Sequence, residues 1–247
     1  MGKAVALKAP RRGGGTRKAR KVPKASSPKR NYFWYLGGMA LIALLVRTFV
    51  LQGFRMPSHS MEDSLLLGEW VLVEKISFGP AVPFTAMRLP ALDQPAPGDL
   101  LVFEYPADPR RTYLKRCIAL AGQQVEIRDK VVLVDGVRLP EAALAKHADP
   151  RVFPASKLPR DNMAPRRVPA GHFFVMGDNR DYSRDSRSWG FLPQELVLGR
   201  ALCVYWSCAP GGEIDFSALA ALPAALFTQV RSLPDRIRWG RMGTFVR

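Results

Sequence analysis

The chain has 247 residues, with 37 Lys and Arg against 21 Asp and Glu and a net charge of +16, which allows one compact domain with appendages. Eleven of the basic residues and no acidic residue fall in residues 1–30, so the rest of the chain carries only +5. Basic charge gathered in one terminal arm argues against a nucleic-acid-binding fold, and three cysteines are too few for a disulfide-stapled one.

The N-terminal segment, residues 1–31, combines Lys, Arg, Pro, Gly and Ser without an apolar period. Such a segment cannot bury enough apolar surface to offset the entropy lost on ordering. We therefore predict a disordered basic arm.

An apolar segment follows at residues 32–52. Fourteen uncharged residues, Phe33–Val46, precede Arg47 and a second apolar stretch, Thr48–Leu51. As a helix these residues would extend ~28 Å, close to the ~30 Å hydrocarbon core of a bilayer. We predict a transmembrane anchor. The basic arm should then stay in the cytoplasm and the later residues should lie outside.

Two alternatives to an anchor remain open. A cleavable secretory signal also has a basic start and an apolar middle, but it should be followed by a small-x-small cleavage site, which is missing here. A buried core helix would also be apolar. The aromatic residues Tyr32–Tyr35 at the basic border favour a membrane interface over that reading.

Residues 53–212 have the pattern of short strands separated by turn signals, with no long helical period. The fold class we predict is mainly β, an antiparallel sandwich or barrel-like domain after one N-terminal transmembrane helix. Segments 79–97 and 141–169, rich in Pro and Ala, are predicted as long variable loops. The extension 213–247 should pack on the domain or on the membrane surface. The predicted strands are Trp70–Val73, Leu100–Tyr105, Tyr113–Leu120, Val125–Ile127, Val131–Val134, His172–Met176 and Val197–Trp206.

A polar loop just after the anchor contains the hydroxyls of Ser58 and Ser60. On its own the loop reads as an ordinary serine-rich turn. As a nucleophile, a serine needs a base to take its proton. Three histidines, His59, His147 and His172, offer no convincing triad partner. A lysine can serve if burial makes it neutral near pH 7.

Lys115 lies in the predicted strand Tyr113–Leu120. Alternation puts Lys115 on one face with Tyr113 and Cys117 and turns Arg116 to the other face. Apolar neighbours would desolvate the amine. The alternative is a lysine on an edge strand that discourages aggregation.

A dense polar segment, residues 177–187, follows the predicted strand His172–Met176. Alternating acids and arginines are by default a solvated turn with salt bridges of little worth. The same density could form a scaffold that orients the amine of a base. Cys203 and Cys208 are close enough in sequence to leave one disulfide open as a possibility.

Four segments together resemble a known family. MPSHSM, PGDLLVFEYP, YLKRCIAL and GDNRDYSRDSRSWGFLP occur in the order and approximate spacing of the conserved boxes of type I signal peptidases, which are serine proteases with a Ser/Lys dyad. The resemblance covers about residues 33–207. It implies a membrane-bound endopeptidase that removes signal peptides from exported preproteins after small-x-small sites. No cofactor or metal is implied, and the partners implied are signal peptides and the phospholipid membrane, with no nucleic acid.

The resemblance also implies residue roles. Ser60 would be the nucleophile and Lys115 the general base; Ser58 and the backbone N–H of Ser60 would bind the oxyanion, and Ser183 would orient the lysine. The remaining implied residues are the structural polar residues Asp178, Asn179, Arg180, Asp185 and Arg187 and the substrate-binding residues Met56, Pro57 and Met61.

Two positions depart from the family pattern. His59 stands where the family usually has Gly, and Asp63 begins Asp-Ser-Leu where it usually has Pro-Thr-Leu. A carboxylate near Lys115 would favour the ammonium form, so Asp63→Pro is expected to lower the alkaline activity optimum. These departures leave open a specialised paralogue with a restricted substrate set. A non-catalytic, membrane-tethered β-domain that binds peptides is a further alternative.

Overall fold

A computed structural model describes residues 2, 28–85, 87–140, 145–210 and 231–246. The predicted basic arm therefore lies almost wholly outside the described residues. The same holds for residues 141–144 of the second predicted loop and for residues 213–230 of the predicted extension.

The N-terminal apolar segment is a helix, α1 (Pro28–Leu45), followed by one π-helical turn (Val46–Val50). Tyr32–Val50 is long and apolar enough to cross a membrane. Strand β1 begins at Leu51, so the last two residues of the predicted anchor pair in the sheet instead.

The main body is antiparallel β structure in two sheets, which confirms the predicted mainly β class with one apolar N-terminal helix. The larger sheet has seven strands, in the spatial order β1 (Leu51–Arg55), β2 (Glu69–Glu74), β11 (Val197–Ser207), β3 (Leu100–Tyr105), β4 (Asp108–Ala119), β9 (His172–Met176) and β10 (Leu192–Pro193). The smaller sheet has four, in the order β7 (Val137–Arg138), β6 (Val131–Val134), β5 (Gln124–Arg128) and β8 (Met163–Arg167). The described residues also form two short α-helices, α2 (Ser186–Trp189) and α3 (Leu233–Arg236).

Three clusters of buried apolar side chains hold the sheets together. One cluster joins β2 and β11 to the loop after β1 through Met56, Met61 and Leu65. A second fills the smaller sheet around Ile127. The third packs against the opposite side of β3 and β4 and contains Cys117. Burial of this kind stabilises by ~25 cal/mol per Å² of apolar area, so these clusters fix the strands that position the polar residues.

Residues 236–246, here called the C-terminal segment, pair with β11 beyond Arg200, on the side that β3 leaves free. Val204 N–H donates to Thr244 O at 3.0 Å, Gly243 N–H donates to Val204 O at 2.8 Å, and Val246 N–H donates to Leu202 O at 2.9 Å. An uncovered strand edge is a site for unwanted pairing, and the segment removes it. This described part of the predicted extension packs on the domain.

The two cysteines near the end of β11 are free thiols. Cys203 lies within the strand and Cys208 immediately follows it. Five residues of extended chain span ~16 Å, whereas a disulfide needs Cα atoms within ~7 Å. The geometry of the strand therefore keeps Cys203 and Cys208 apart.

Candidate active site

The loop between β1 and β2 carries Ser60 in a single 3-10 turn, His59–Met61. Apolar side chains on either side hold this turn, since Met56 is 4% exposed and Met61 is fully buried. Ser60 itself is 6% exposed. Its carbonyl accepts a hydrogen bond from Asn179 N–H at 3.1 Å, which ties the loop to the segment after β9.

The amine of Lys115 meets this hydroxyl from β4. Lys115 Nζ lies 2.5 Å from Ser60 Oγ and also donates to Leu114 O at 3.2 Å. The side chain is 3% exposed, and Nζ lies 5.5 Å from the centre of the Tyr113 ring. Tyr113 and Cys117 belong to one core cluster and Leu114 to another, as strand alternation predicts.

The surroundings of the amine set its acidity. Burial lowers the pKa of Lys115 to about 8, against a smaller raising effect of Asp185 and Asp178. Desolvation penalises the ammonium form because little water remains to solvate it. A hydroxyl beside an amine of this pKa is the arrangement that proton transfer between them requires.

Asp63 faces a different charge from the one expected. Its carboxylate lies 3.6 Å from Lys146 Nζ, and the carboxylates that raise the pKa of Lys115 are those of Asp185 and Asp178. The backbone of Asp63 has φ 82°. Proline is locked near φ −65°, so Asp63→Pro would change the backbone as well as remove the carboxylate. The substitution therefore does not isolate the effect of the charge, contrary to the expectation from the sequence.

Ser58 is exposed, and its hydroxyl lies 3.1 Å from Ser60 Oγ. The hydroxyl of Ser183 is buried and makes no hydrogen bond to any described residue. Ser183 packs closely on Gly177, where an added Cβ would come within 2.5 Å of Ser60 O and closer still to Ser183 Oγ. The oxyanion and lysine-orienting roles of these serines stay predictions.

Two buried ion pairs brace the segment after β9. Arg116 donates to Asp178 through Nε at 2.8 Å and Nη2 at 2.6 Å. Arg187 donates to Asp185 through Nε at 2.9 Å and Nη2 at 2.8 Å. Gly177 N–H donates to Asp185 Oδ2 at 3.0 Å. Ion pairs with such satisfied geometry fix conformation, which agrees with a scaffold and not with a solvated turn.

The other predicted polar residues extend this scaffold. Asn179 Nδ2 donates to His59 O at 3.2 Å. Arg180 is 2% exposed, and its backbone N–H donates to Lys146 O at 2.9 Å while its carbonyl accepts from Arg187. Together they bring the segment after β9 against the loop that carries Ser60.

Sequence reasoning missed four contributors to the site. Arg116, Ser64, Lys146 and Arg241 all contact the loop or its scaffold. Arg116 could have been found, because strand alternation turns it to the face opposite Lys115, and a guanidinium buried there needs a charge partner. The others lie in segments without a period, where no signal marks a partner.

A cleft of about 210 Å³ opens beside Ser60 and Lys115. Of the three residues predicted to bind substrate, Met56 and Pro57 line the cleft, whereas Met61 is buried in the core with Leu65. No group of His, Cys, Asp or Glu side chains among the residues that the structure describes is arranged to hold a metal ion. The further lining residues are Ser58, Thr112, Tyr113, Leu114, Tyr182 and Arg184.

Comparison with known proteins gives one consistent match. Residues 29–206 match the family model described as signal peptidase, peptidase S26. A signal peptidase I from Pseudomonas fluorescens is 33% identical over 67% of this chain and 68% of its own length. A probable signal peptidase I-1 from Synechocystis is 35% identical over 70% of this chain and 81% of its own. A crystal structure of a signal peptidase I from Enterococcus faecalis is 34% identical, covers 44% of this chain and 97% of its own, and has a TM-score of 0.36.

Proposed function

Because the chain belongs to the signal peptidase I family, peptidase S26, and is therefore a serine endopeptidase, we propose that Ser60 is its nucleophile and Lys115 its general base. The observation that carries the proposal is the 2.5 Å distance between Lys115 Nζ and Ser60 Oγ inside a buried setting. A serine hydroxyl attacks only when a neighbour accepts its proton. Burial prepares this amine for that task by lowering its pKa to about 8.

The reaction follows from these two groups. Lys115 takes the hydroxyl proton while Ser60 Oγ attacks the scissile carbonyl, and the resulting ammonium protonates the leaving amine. An acyl-enzyme remains on Ser60. Lys115 then takes a proton from water, which attacks the ester and releases the second product.

The developing oxyanion needs donors. The hydroxyl of Ser58, 3.1 Å from Ser60 Oγ, and the backbone N–H of Ser60 are proposed for this purpose. Each donor of this kind typically supplies ~3 kcal/mol of transition-state stabilisation. Ser183 is proposed to orient Lys115 by turning its buried, unpartnered hydroxyl to the amine.

Family membership implies signal peptides as substrates. We propose cleavage after small-x-small sites, with the substrate lying extended in the cleft as an added strand. The cleft of about 210 Å³ beside Ser60 and Lys115 is where the substrate is proposed to lie. Met56 and Pro57 are the proposed substrate contacts.

We place the enzyme in the bacterial cytoplasmic membrane as a single-pass protein. Tyr32–Val50 would cross the phospholipid bilayer, with the basic arm in the cytoplasm and the β-domain outside. Signal peptidase I relatives are membrane proteins. The asymmetry of Lys and Arg around the span supports the orientation.

The alternative of a specialised paralogue with a restricted substrate set rests on His59 and Asp63, which depart from the family pattern in the loop of the nucleophile. Membership in a peptidase family argues against the alternative of a silent peptide-binding domain.

The test uses the full chain in detergent micelles with a preprotein that has a small-x-small site. Ser60→Ala and Lys115→Ala should each reduce kcat by at least ~10⁴-fold, while Lys157→Ala, a matched control on an exposed lysine, should not change it. Melting temperatures establish that the variants are folded. Turnover that survives in either variant would refute the dyad.

A further inference from the structure

Arg241 of the C-terminal segment makes three side-chain hydrogen bonds that tie this segment to β2 and to the loop that carries Ser60. Its Nε donates to Glu69 Oε1 at 2.8 Å, and its Nη2 donates both to Glu69 Oε2 and to Ser64 O at 2.9 Å. The guanidinium therefore joins the start of β2 to the residues after Ser60. Arg241 is separated from Ser64 by 177 positions in the chain.

The buried carboxylate of Glu69 anchors the guanidinium of Arg241. The Glu69 side chain is fully buried, and it also accepts from Leu66 N–H at 2.8 Å and from Ser207 Oγ at 2.9 Å. A buried carboxylate left without a cation is strongly destabilising. Arg241 is thus held in one geometry, with its second donor aimed at Ser64 O.

Ser64 connects Arg241 to the proposed catalytic groups. Its hydroxyl donates to Asp178, the carboxylate that also binds Arg116. The next residue, Asn179, holds Ser60 O through its N–H at 3.1 Å. Ser64 is therefore fixed from two sides, by its carbonyl to Arg241 and by its hydroxyl to the scaffold.

The turn between Ser60 and Ser64 contains one residue in a strained conformation, although the side chains of Met61 and Leu65 are fully buried. Leu65 N–H donates to Met61 O at 2.7 Å, but Asp63 adopts φ 82°. A non-glycine residue in this region is strained and persists only where its surroundings hold it. The contact of Arg241 with Ser64 O supplies such a hold one residue away.

We propose that Arg241 is a positioning residue for the endopeptidase reaction, which keeps the turn 61–65 in register so that Ser60 Oγ stays within reach of Lys115. The inference rests on the proposed function of Ser60 and Lys115. The family model matches residues 29–206. The inference therefore assigns a role to a residue outside the matched range.

Four variants of the full chain in detergent micelles test the proposal. Arg241→Gln removes both contacts, because glutamine is too short to reach Ser64 O. Arg241→Lys keeps the charge but not the fork of donors. Glu69→Gln combined with Arg241→Gln removes the buried charge and its partner together. Arg238→Gln is the matched control, since Arg238 lies in the same segment and makes one 3.4 Å bond to Leu67 O.

Two kinds of measurement are compared: kcat and KM on a preprotein, and amide hydrogen exchange at Leu65 and Asn179. We expect Arg241→Gln to lower kcat about 10- to 100-fold, with KM changed less than about threefold. Exchange at Leu65 and Asn179 should speed up while exchange in β5 and β6 stays constant. Arg241→Lys should recover part of kcat, and Arg238→Gln should match the unmodified enzyme.

The double variant separates positioning from charge compensation. It should regain the melting temperature lost in Arg241→Gln, but kcat should stay low because Ser64 O remains without its donor. Recovery of both quantities would overturn the proposal, as would an unchanged kcat or unchanged exchange in Arg241→Gln. Should the unmodified enzyme fail to cleave, the proposed function falls, and the exchange data still decide whether Arg241 holds the turn.

Discussion

Lys115 Nζ lies 2.5 Å from Ser60 Oγ although the residues are 55 positions apart. One lies in the middle of a buried strand and the other in a loop before β2, so the contact depends on the register of the large sheet. Proton transfer from Ser60 to Lys115 depends on the pKa of Lys115, which burial lowers to about 8.

The first prediction concerns the pH dependence of cleavage. The base works only when neutral, so kcat/KM should rise about tenfold per pH unit below the pKa of about 8 and level off above it. A pH series on a preprotein measures this, with the melting temperature recorded at each pH. A flat profile between about pH 6 and 8 would contradict a lysine base.

The second prediction concerns stability. Folding lowers the pKa of Lys115, so the folded state disfavours the ammonium form, and stability is lost as pH falls from the unfolded pKa through about 8. Lys115→Met should therefore be inactive yet more stable at pH 7, by up to about 3 kcal/mol. The gain should shrink between about pH 8 and 10. Thermal melting across that range measures it, and a gain that grows with pH would refute it.

The third prediction concerns Gly177. Alanine there would place a methyl group within 2.5 Å of Ser60 O and against the Ser183 hydroxyl. Backbone cannot yield as a flexible side chain can, so the Ser60 loop must shift, and kcat should fall at least ~100-fold. Gly37→Ala, which meets nothing within 4 Å, is the control. Equal activity in the two variants would show that the loop tolerates the shift.

The fourth prediction concerns Asp63, whose φ of 82° suits glycine and excludes proline. Asp63→Gly should keep activity and match or slightly raise the melting temperature. Asp63→Pro should destabilise the enzyme by more than about 1 kcal/mol and lower kcat. Melting curves and kinetics of the two variants decide it. A stable, active proline variant would show that the loop adopts another conformation.

The fifth prediction concerns Ser58. If its hydroxyl binds the oxyanion, Ser58→Ala should lower kcat about 10²- to 10³-fold and leave KM nearly unchanged. Lys157→Ala, on an exposed residue outside the site, serves as the control. A rise in KM with constant kcat would assign Ser58 to ground-state substrate binding instead.

The sequence predicted the strands well because most of them follow a strong local rule. Apolar runs bounded by turns gave β3, β6 and β9 with the bounds that the structure has. Strand β8 was missed because Met163–Arg167 has only one buried side chain and reads as part of a loop. Strand β1 was taken as the end of the anchor, since pairing with β2 leaves no local mark.

Some residues of the site could also be predicted from the sequence, and others could not. Alternation along β4 put Lys115 on one face with Tyr113 and Cys117 but left an edge-strand lysine equally open, and the resemblance supplied its role and its partner. The charges around Asp63 were not predictable, because Lys146 approaches it from a loop without a period. The contact of Arg241 with Ser64 was equally unpredictable, since only the folded chain brings the two residues together.

The distance in sequence between Ser64 and Arg241 also orders events during biogenesis. Strand β11 lies between β2 and β3 in the large sheet, and it ends at Ser207. All the strands of that sheet are therefore synthesised before residue 241. On the proposed role of Arg241, the geometry of the Ser60 loop would be complete only after synthesis has passed that residue.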